Sequence, residues 1–149
     1  MEKGSGIYAT EEPYASQYAE DKIIQACQQI KAIKPDIICI FYYNSLRDWT
    51  FYKLHETLAA HNEWWLKDNN GQTVLVGGDK SFPKPDQWLL VPDYRQSVVQ
   101  KLWTDECVNV VRDNYGIVDG CFNDTPQLNT FNGYNFTRQD FLFVIPIYR

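Results

Sequence analysis

A chain of 149 residues holds one ordinary domain or a piece of a larger one, and 44% apolar residues suffice for a packed core. No apolar run approaches the ~20 residues that cross a bilayer, and scattered Lys and Arg with a net charge of -5 argue against nucleic acid or an anionic membrane as the main partner. Aromatic residues make up 15% of the chain, which suits either a bulky core or a groove that stacks on flat apolar faces.

The amino-terminal segment has no apolar stretch of the secretory kind, and a doubtful strand lies near Ile7-Tyr8. From Ser16 to Lys34, Ala19, Ile23, Cys27, Ile30 and Ile33 recur at helical spacing, and Pro35 stops the helix. The run 36–43 that follows is too continuously apolar for a sheet with one wet face and predicts a strand covered on both sides. Phe51, Leu54 and Leu58 mark a second helix ending near His61. A connection with a turn at 68–71 leads to a short hairpin or edge strand over 73–76, closed by Gly77-Gly78. Trp88-Leu-Leu-Val91 predicts the next core strand, and Val99, Trp103, Cys107 and Val110 stripe a third helix within 94–114. Gly116 stands where a helix C-terminal glycine belongs, and 117–122 is another covered strand. Beyond Pro126 only Phe141-Leu-Phe-Val-Ile145 stands out; residues 1–15 and 126–149 carry the weakest signal.

Alternating helices and strands predict a single α/β domain over 1–149, built of parallel β/α units. A closed (β/α)8 barrel needs about 250 residues, so at most half a barrel fits. In such sheets ligands gather at the carboxyl ends of strands, which here read Tyr42-Tyr43-Asn44, Pro92-Asp93 and Phe122-Asn123-Asp124. The cysteines sharpen this picture. Cys27 and Cys107 fall in helices, and Cys39 and Cys121 fall in the strands that follow. Four buried free thiols are one reading, and two helix-to-strand disulfides, Cys27–Cys39 and Cys107–Cys121, are the other. If Cys39 and Cys121 face the helices, alternation puts Ile38, Ile40, Tyr42 and Asn44 on the inner face of one strand. It puts Val118, Gly120, Phe122 and Asp124 on the inner face of the other. Asp124 is therefore the first candidate for a catalytic carboxylate, although a turn role before Thr-Pro competes. Asp119 has the opposite parity and is expected to be structural. Asp93-Tyr-Arg-Gln96 has capping-box spacing, so a cap and a site role compete there. Trp49, Trp64 and Trp65 are either a stacking platform or packing residues.

Other chemistries lack their motifs. His55 and His61 are six residues apart, too far for H-E-x-x-H, so no metal site is expected. No phosphate-binding glycine loop, C-x-x-C or G-x-S-x-G is present, and no cofactor is expected. Asn-Asp-Thr at 123 and Asn-Phe-Thr at 135 fit the glycosylation pattern, which leaves secretion of a longer parent open and the localisation undetermined.

Phe41-Tyr-Tyr-Asn-Ser45, the stretch from His61 to Gly71, and Val118-Asp-Gly-Cys-Phe-Asn-Asp124 together resemble glycoside-hydrolase-like TIM-barrel proteins, over roughly residues 20 to 125. In these a strand of the form D-G-x-x-x-D ends in an acidic residue at the barrel mouth, as Asp119, Gly120 and Asp124 do here. The resemblance implies that Asp124 is one of two carboxylates flanking a glycosidic bond. It implies that Tyr42, Asn44 and Asp93 line a cleft for an oligo- or polysaccharide. The later strands that would carry a second acid are absent from this sequence. A non-catalytic carbohydrate-binding or assembly module is therefore the alternative, and a small redox or signalling domain a third. Open sheet edges in a partial barrel would favour self-association.

Overall fold

The computed structural model describes residues 18–76 and 89–124, with the backbone of 130–131 and 134–135; the doubtful strand near Ile7 and the apolar run at 141–145 lie outside the described residues. Helix α1 is Ala19–Ile33, strand β1 Ile40–Asn44, helix α2 Lys53–Ala59, strands β2 and β3 Leu75–Val76 and Leu89–Leu90, and helix α3 Ser97–Asp113. Strand β4 is Gly120–Asp124, followed by short strands β5, Thr130–Phe131, and β6, Tyr134–Asn135. The chain is thus mixed α/β. No described helix is long and apolar enough to cross a membrane.

β1 and β4 pair in parallel, with Ile40 opposite Gly120, Tyr42 opposite Phe122 and Asn44 opposite Asp124. One face of this pair carries Cys39, Phe41 and Tyr43 into the main core, where Ile23 and Cys27 of α1 and Trp103, Cys107 and Val110 of α3 meet them. Phe41 has no exposed surface, so truncating it to alanine should cost about 3–5 kcal/mol. The helix ends follow their local chemistry. The Lys34 N–H donates to the Ile30 carbonyl at 2.9 Å just before Pro35. At the end of α3 the Asn114 amide donates to the Val110 carbonyl at 2.8 Å, and Gly116 takes the left-handed conformation (φ +81°) that turns the chain into β4.

The runs at 36–43 and 117–122 are covered on one face and not on both as expected, with Ile38, Ile40 and Phe122 exposed on the other. The structure corrects the sequence reading at three further places. The run at 88–91 is not a third parallel strand: β3 pairs antiparallel with β2. Residues 64–67 explain why, because they lie between the two segments. The Leu66 N–H donates to the Val91 carbonyl and its own carbonyl accepts from Val74 N–H, both at 2.8 Å. A small second core of Leu46, Leu66, Val74, Val76 and Val91 closes this ribbon. β1 therefore reaches its parallel partner across a connection that contains the ribbon and α3. Among the described residues the parallel sheet has two strands.

Val118 is the second correction. It is buried in the main core rather than placed on the inner face, because regular pairing starts only at Gly120 and Val118 N–H still bonds Asn114. The third concerns the cysteines. Cys107 and Cys121 are joined by a disulfide, with Cα atoms 5.8 Å apart, tying α3 to β4. Cys27 and Cys39 are not bonded to each other; both are buried free thiols. Burial, and next the neighbouring Cys39 thiol, push Cys27 up to about 11.

Candidate functional site at the carboxyl ends of the parallel strands

Three of the residues singled out from sequence converge. The Tyr42 hydroxyl donates to Asp124 Oδ2 at 2.5 Å, crossing from β1 to β4. The Asn44 side-chain amide in turn donates to the Tyr42 hydroxyl at 3.3 Å. Strand pairing makes this contact inevitable, because Tyr42 and Asn44 share a face of β1 and Asp124 stands directly opposite Asn44. The lip is fixed from below. Asn44 Oδ1 accepts Leu46 and Arg47 N–H at 2.9 and 2.8 Å, which folds the following loop back over the strand end. Ser45 donates to the Asp124 carbonyl at 3.1 Å from both its N–H and its hydroxyl, which binds the two strand ends to each other.

Asp93 is engaged elsewhere. Its carboxylate takes the Arg95 guanidinium at 2.7 and 2.8 Å and Arg95 N–H at 3.2 Å, with Gln96 Nε2 at 3.4 Å. Burial works to raise its pKa, and Arg95 outweighs this and holds it below the usual carboxylate range. The bonds to Arg95 and Gln96 are those of a turn leading into α3. Of the two roles open in the sequence, these contacts are those of the structural one. Asp119 is likewise structural. It accepts the Cys39 N–H at 2.7 Å and pairs with Lys31 of α1 at 2.7 Å, and Lys31 foremost holds its carboxyl low.

The tryptophans do not make a common platform. Trp65 is in the main core, Trp64 stacks on His61 at 3.7 Å, and Trp49 packs beside Phe51 at 5.3 Å. The two histidines have separate partners: His55 Nδ1 lies 2.5 Å from Asp48 Oδ2, and His61 Nδ1 2.9 Å from Glu63.

Two buried acids escaped sequence reasoning. Asp48 sits in the loop after β1, with its carboxyl raised first by desolvation while His55 pulls it down. Glu20 lies in the first turn of α1, where an acidic residue reads as a solvated helix start. Instead it is buried, receives the Lys53 N–H at the start of α2 at 2.8 Å and the Tyr43 hydroxyl at 3.4 Å, and burial pushes it up to about 7. Nothing local signals this, since its burial comes from contacts made by the chain far from it in sequence, with Lys53 at the start of α2 and Tyr43 of β1. Tyr43 alternates with Tyr42, so Glu20 belongs to the helix side and not to the Asp124 side. No second acid stands beside Asp124 on β1 or β4. The strand residues sharing its face are Ile40, Tyr42, Asn44, Gly120 and Phe122.

Chemically, the site offers one carboxylate oriented by a phenol, at the carboxyl end of a parallel strand pair, with an amide beside it. Comparison with known proteins bears on the same strands. A family model described as hypothetical glycosyl hydrolase family 15 matches residues 31–139, which contain both β1 and β4. No curated protein matches the chain. Since the match spans more than half of the sequence and includes Tyr42, Asn44 and Asp124, this glycoside-hydrolase-like chain belongs to hypothetical glycosyl hydrolase family 15.

Proposed function

We propose that the chain acts on an oligo- or polysaccharide, with Asp124 as one member of a carboxylate pair that cleaves a glycosidic bond. In such a reaction one carboxyl group protonates the leaving oxygen, while the other attacks the sugar or activates water. Tyr42 suits Asp124 to the second task. A phenol that donates to Oδ2 fixes that oxygen as an acceptor and aims the carboxylate, whereas a proton on that oxygen would compete for the same position. Asn44 would hold Tyr42 and contact a sugar hydroxyl, and Asp93 would support the cleft wall from the turn before α3. In this reading β1 and β4 are neighbouring strands of a partial barrel, and their outer edges are the places where self-association would occur.

The observation that carries the proposal is the Tyr42–Asp124 hydrogen bond across the parallel pair within the family-matched region. Its test is hydrolysis of a panel of chromogenic and natural oligosaccharides by the wild type and by Asp124→Asn. The substitution should lower turnover by at least roughly a hundredfold with the fold retained. Equal turnover by the two proteins would end the catalytic role. A specific observation favours a second reading: no second acid stands beside Asp124 on the two paired strands. A carbohydrate-binding module without catalysis has the same groove, and sugar binding with no turnover in the wild type would select it.

A further inference from the structure

The face that carries Asp124 is apolar beneath its polar lip, and it is open. Phe122 is 53% exposed, Ile40 48% and Ile38 73%, whereas the opposite face of the same strands packs into the core. The arrangement follows strand alternation: Phe122 precedes Asp124 by two residues and lies opposite Tyr42, with the ring centroids 6.2 Å apart and inclined at 37°. Gly120 next to it adds no side chain, and a Cβ there would come within 3.2 Å of Ile40 Cδ1. The glycine thus lets Ile40 lie across β4 and keeps the surface below Phe122 low and flat. Exposed apolar residues in a contiguous column, rimmed on one side by hydrogen-bonding groups, are the mark of a binding surface.

We infer that Phe122, with Tyr42 and Ile40, is the stacking surface of this site. Its ligand class is a pyranoside with an uninterrupted face of axial C–H bonds, as in β-gluco- and β-galacto-configured rings. The inference rests on the carbohydrate reading above and adds the ring orientation and the residue that selects it. The occupant must be apolar on one side and bear hydroxyls along an edge. A pyranose laid on Phe122 presents its C–H face to the ring and brings its hydroxyls to Asp124 and Asn44. A purely aliphatic ligand would cover the column and strip water from Asp124 without replacing it. A ring with an axial hydroxyl on its stacking face would press a polar group against Phe122.

Saturation-transfer NMR and affinity titration with β-glucosides, β-galactosides and α-mannosides test this directly, because neither needs turnover. Saturation should pass from aromatic protons to the axial C–H protons of the bound ring, and Phe122→Ala should weaken binding about tenfold. Phe122→Trp should retain it. Tyr115→Ala, at an exposed aromatic in the turn after α3, should leave it unchanged, and thermal melting would verify that each variant folds. Sugar binding that ignores Phe122→Ala overturns the inference and leaves the carbohydrate reading intact. Binding of none of the glycosides overturns it as well, while the Asp124→Asn hydrolysis assay decides the wider reading. If Phe122→Ala alters only the oligomeric state, a second copy of the chain is the occupant and the inference fails.

Discussion

Tyr42 shows how much a single side chain can decide. Its hydroxyl gives its proton to Asp124 and receives one from Asn44, so it joins the two groups. Removing only that oxygen, in Tyr42→Phe, keeps the ring beside Phe122 and leaves the bond that the Tyr52 hydroxyl donates to the Tyr42 carbonyl. A hydrogen bond to a charged partner contributes about 1.5–3 kcal/mol. Turnover should therefore fall roughly ten- to a hundredfold with little change in melting temperature, as steady-state kinetics and circular dichroism would register. Residues with one geometric option were legible in the sequence. Asp124 and Tyr42 share a face once Cys39 and Cys121 are taken to face the helices, and Asp119 then has the opposite parity. Asp93 was not decidable, because a carboxylate at the start of a helix and one at the mouth of a strand have the same local spelling; only its bonds to Arg95 distinguish them.

Among the elements, α1 and α3 were readable because each is long enough to display a period, and β1 and β4 because each lies in a continuous apolar run after a helix stop. β2 and β3 have two residues each, and an apolar run of that length carries no information about its partner or direction. The burial of Glu20 against the start of α2 and Tyr43 was equally hidden, and it creates a testable titration. Glu20 is raised to about 7 by burial against an unfolded value near 4.5. A raised folded-state value means that the acid's contribution to stability is full below pH ~4.5 and is lost as pH climbs through about 7. The loss is on the order of 3 kcal/mol as an upper bound. Glu20→Gln keeps an acceptor for the Lys53 N–H and cannot ionise. Melting temperatures measured from pH 5 to pH 8 should fall in the wild type and be visibly flatter in the variant. Parallel curves would remove Glu20 as the cause.

Across the whole molecule, one covalent bond and one long-range pairing hold the layers together. The Cys107–Cys121 bridge closes a 14-residue loop between α3 and β4, and loop entropy assigns it about 3 kcal/mol. Replacing both cysteines with serine should lower the melting temperature by roughly 6–12 °C. The same double variant should keep Cys27 and Cys39 resistant to thiol reagents until the protein unfolds, because Cys27 on the inner side of α1 and Cys39 before β1 are both buried in the core. The expectation of parallel β/α units overcounted at this scale. It assigned the 88–91 run to the main sheet, whereas hydrogen bonds from residues 64–67 draw that run into a separate ribbon.

The pairing of β1 with β4 also sets a timetable. Tyr42 and Asp124 are 82 positions apart. At about 5–20 residues per second, a ribosome takes roughly 4–16 s to make the stretch between them. During that interval Phe41 and Tyr43 have neither β4 nor a finished α3 to cover them. The nascent protein spends those seconds with its most apolar strand unpaired, the period in which a chaperone would have the most surface to hold.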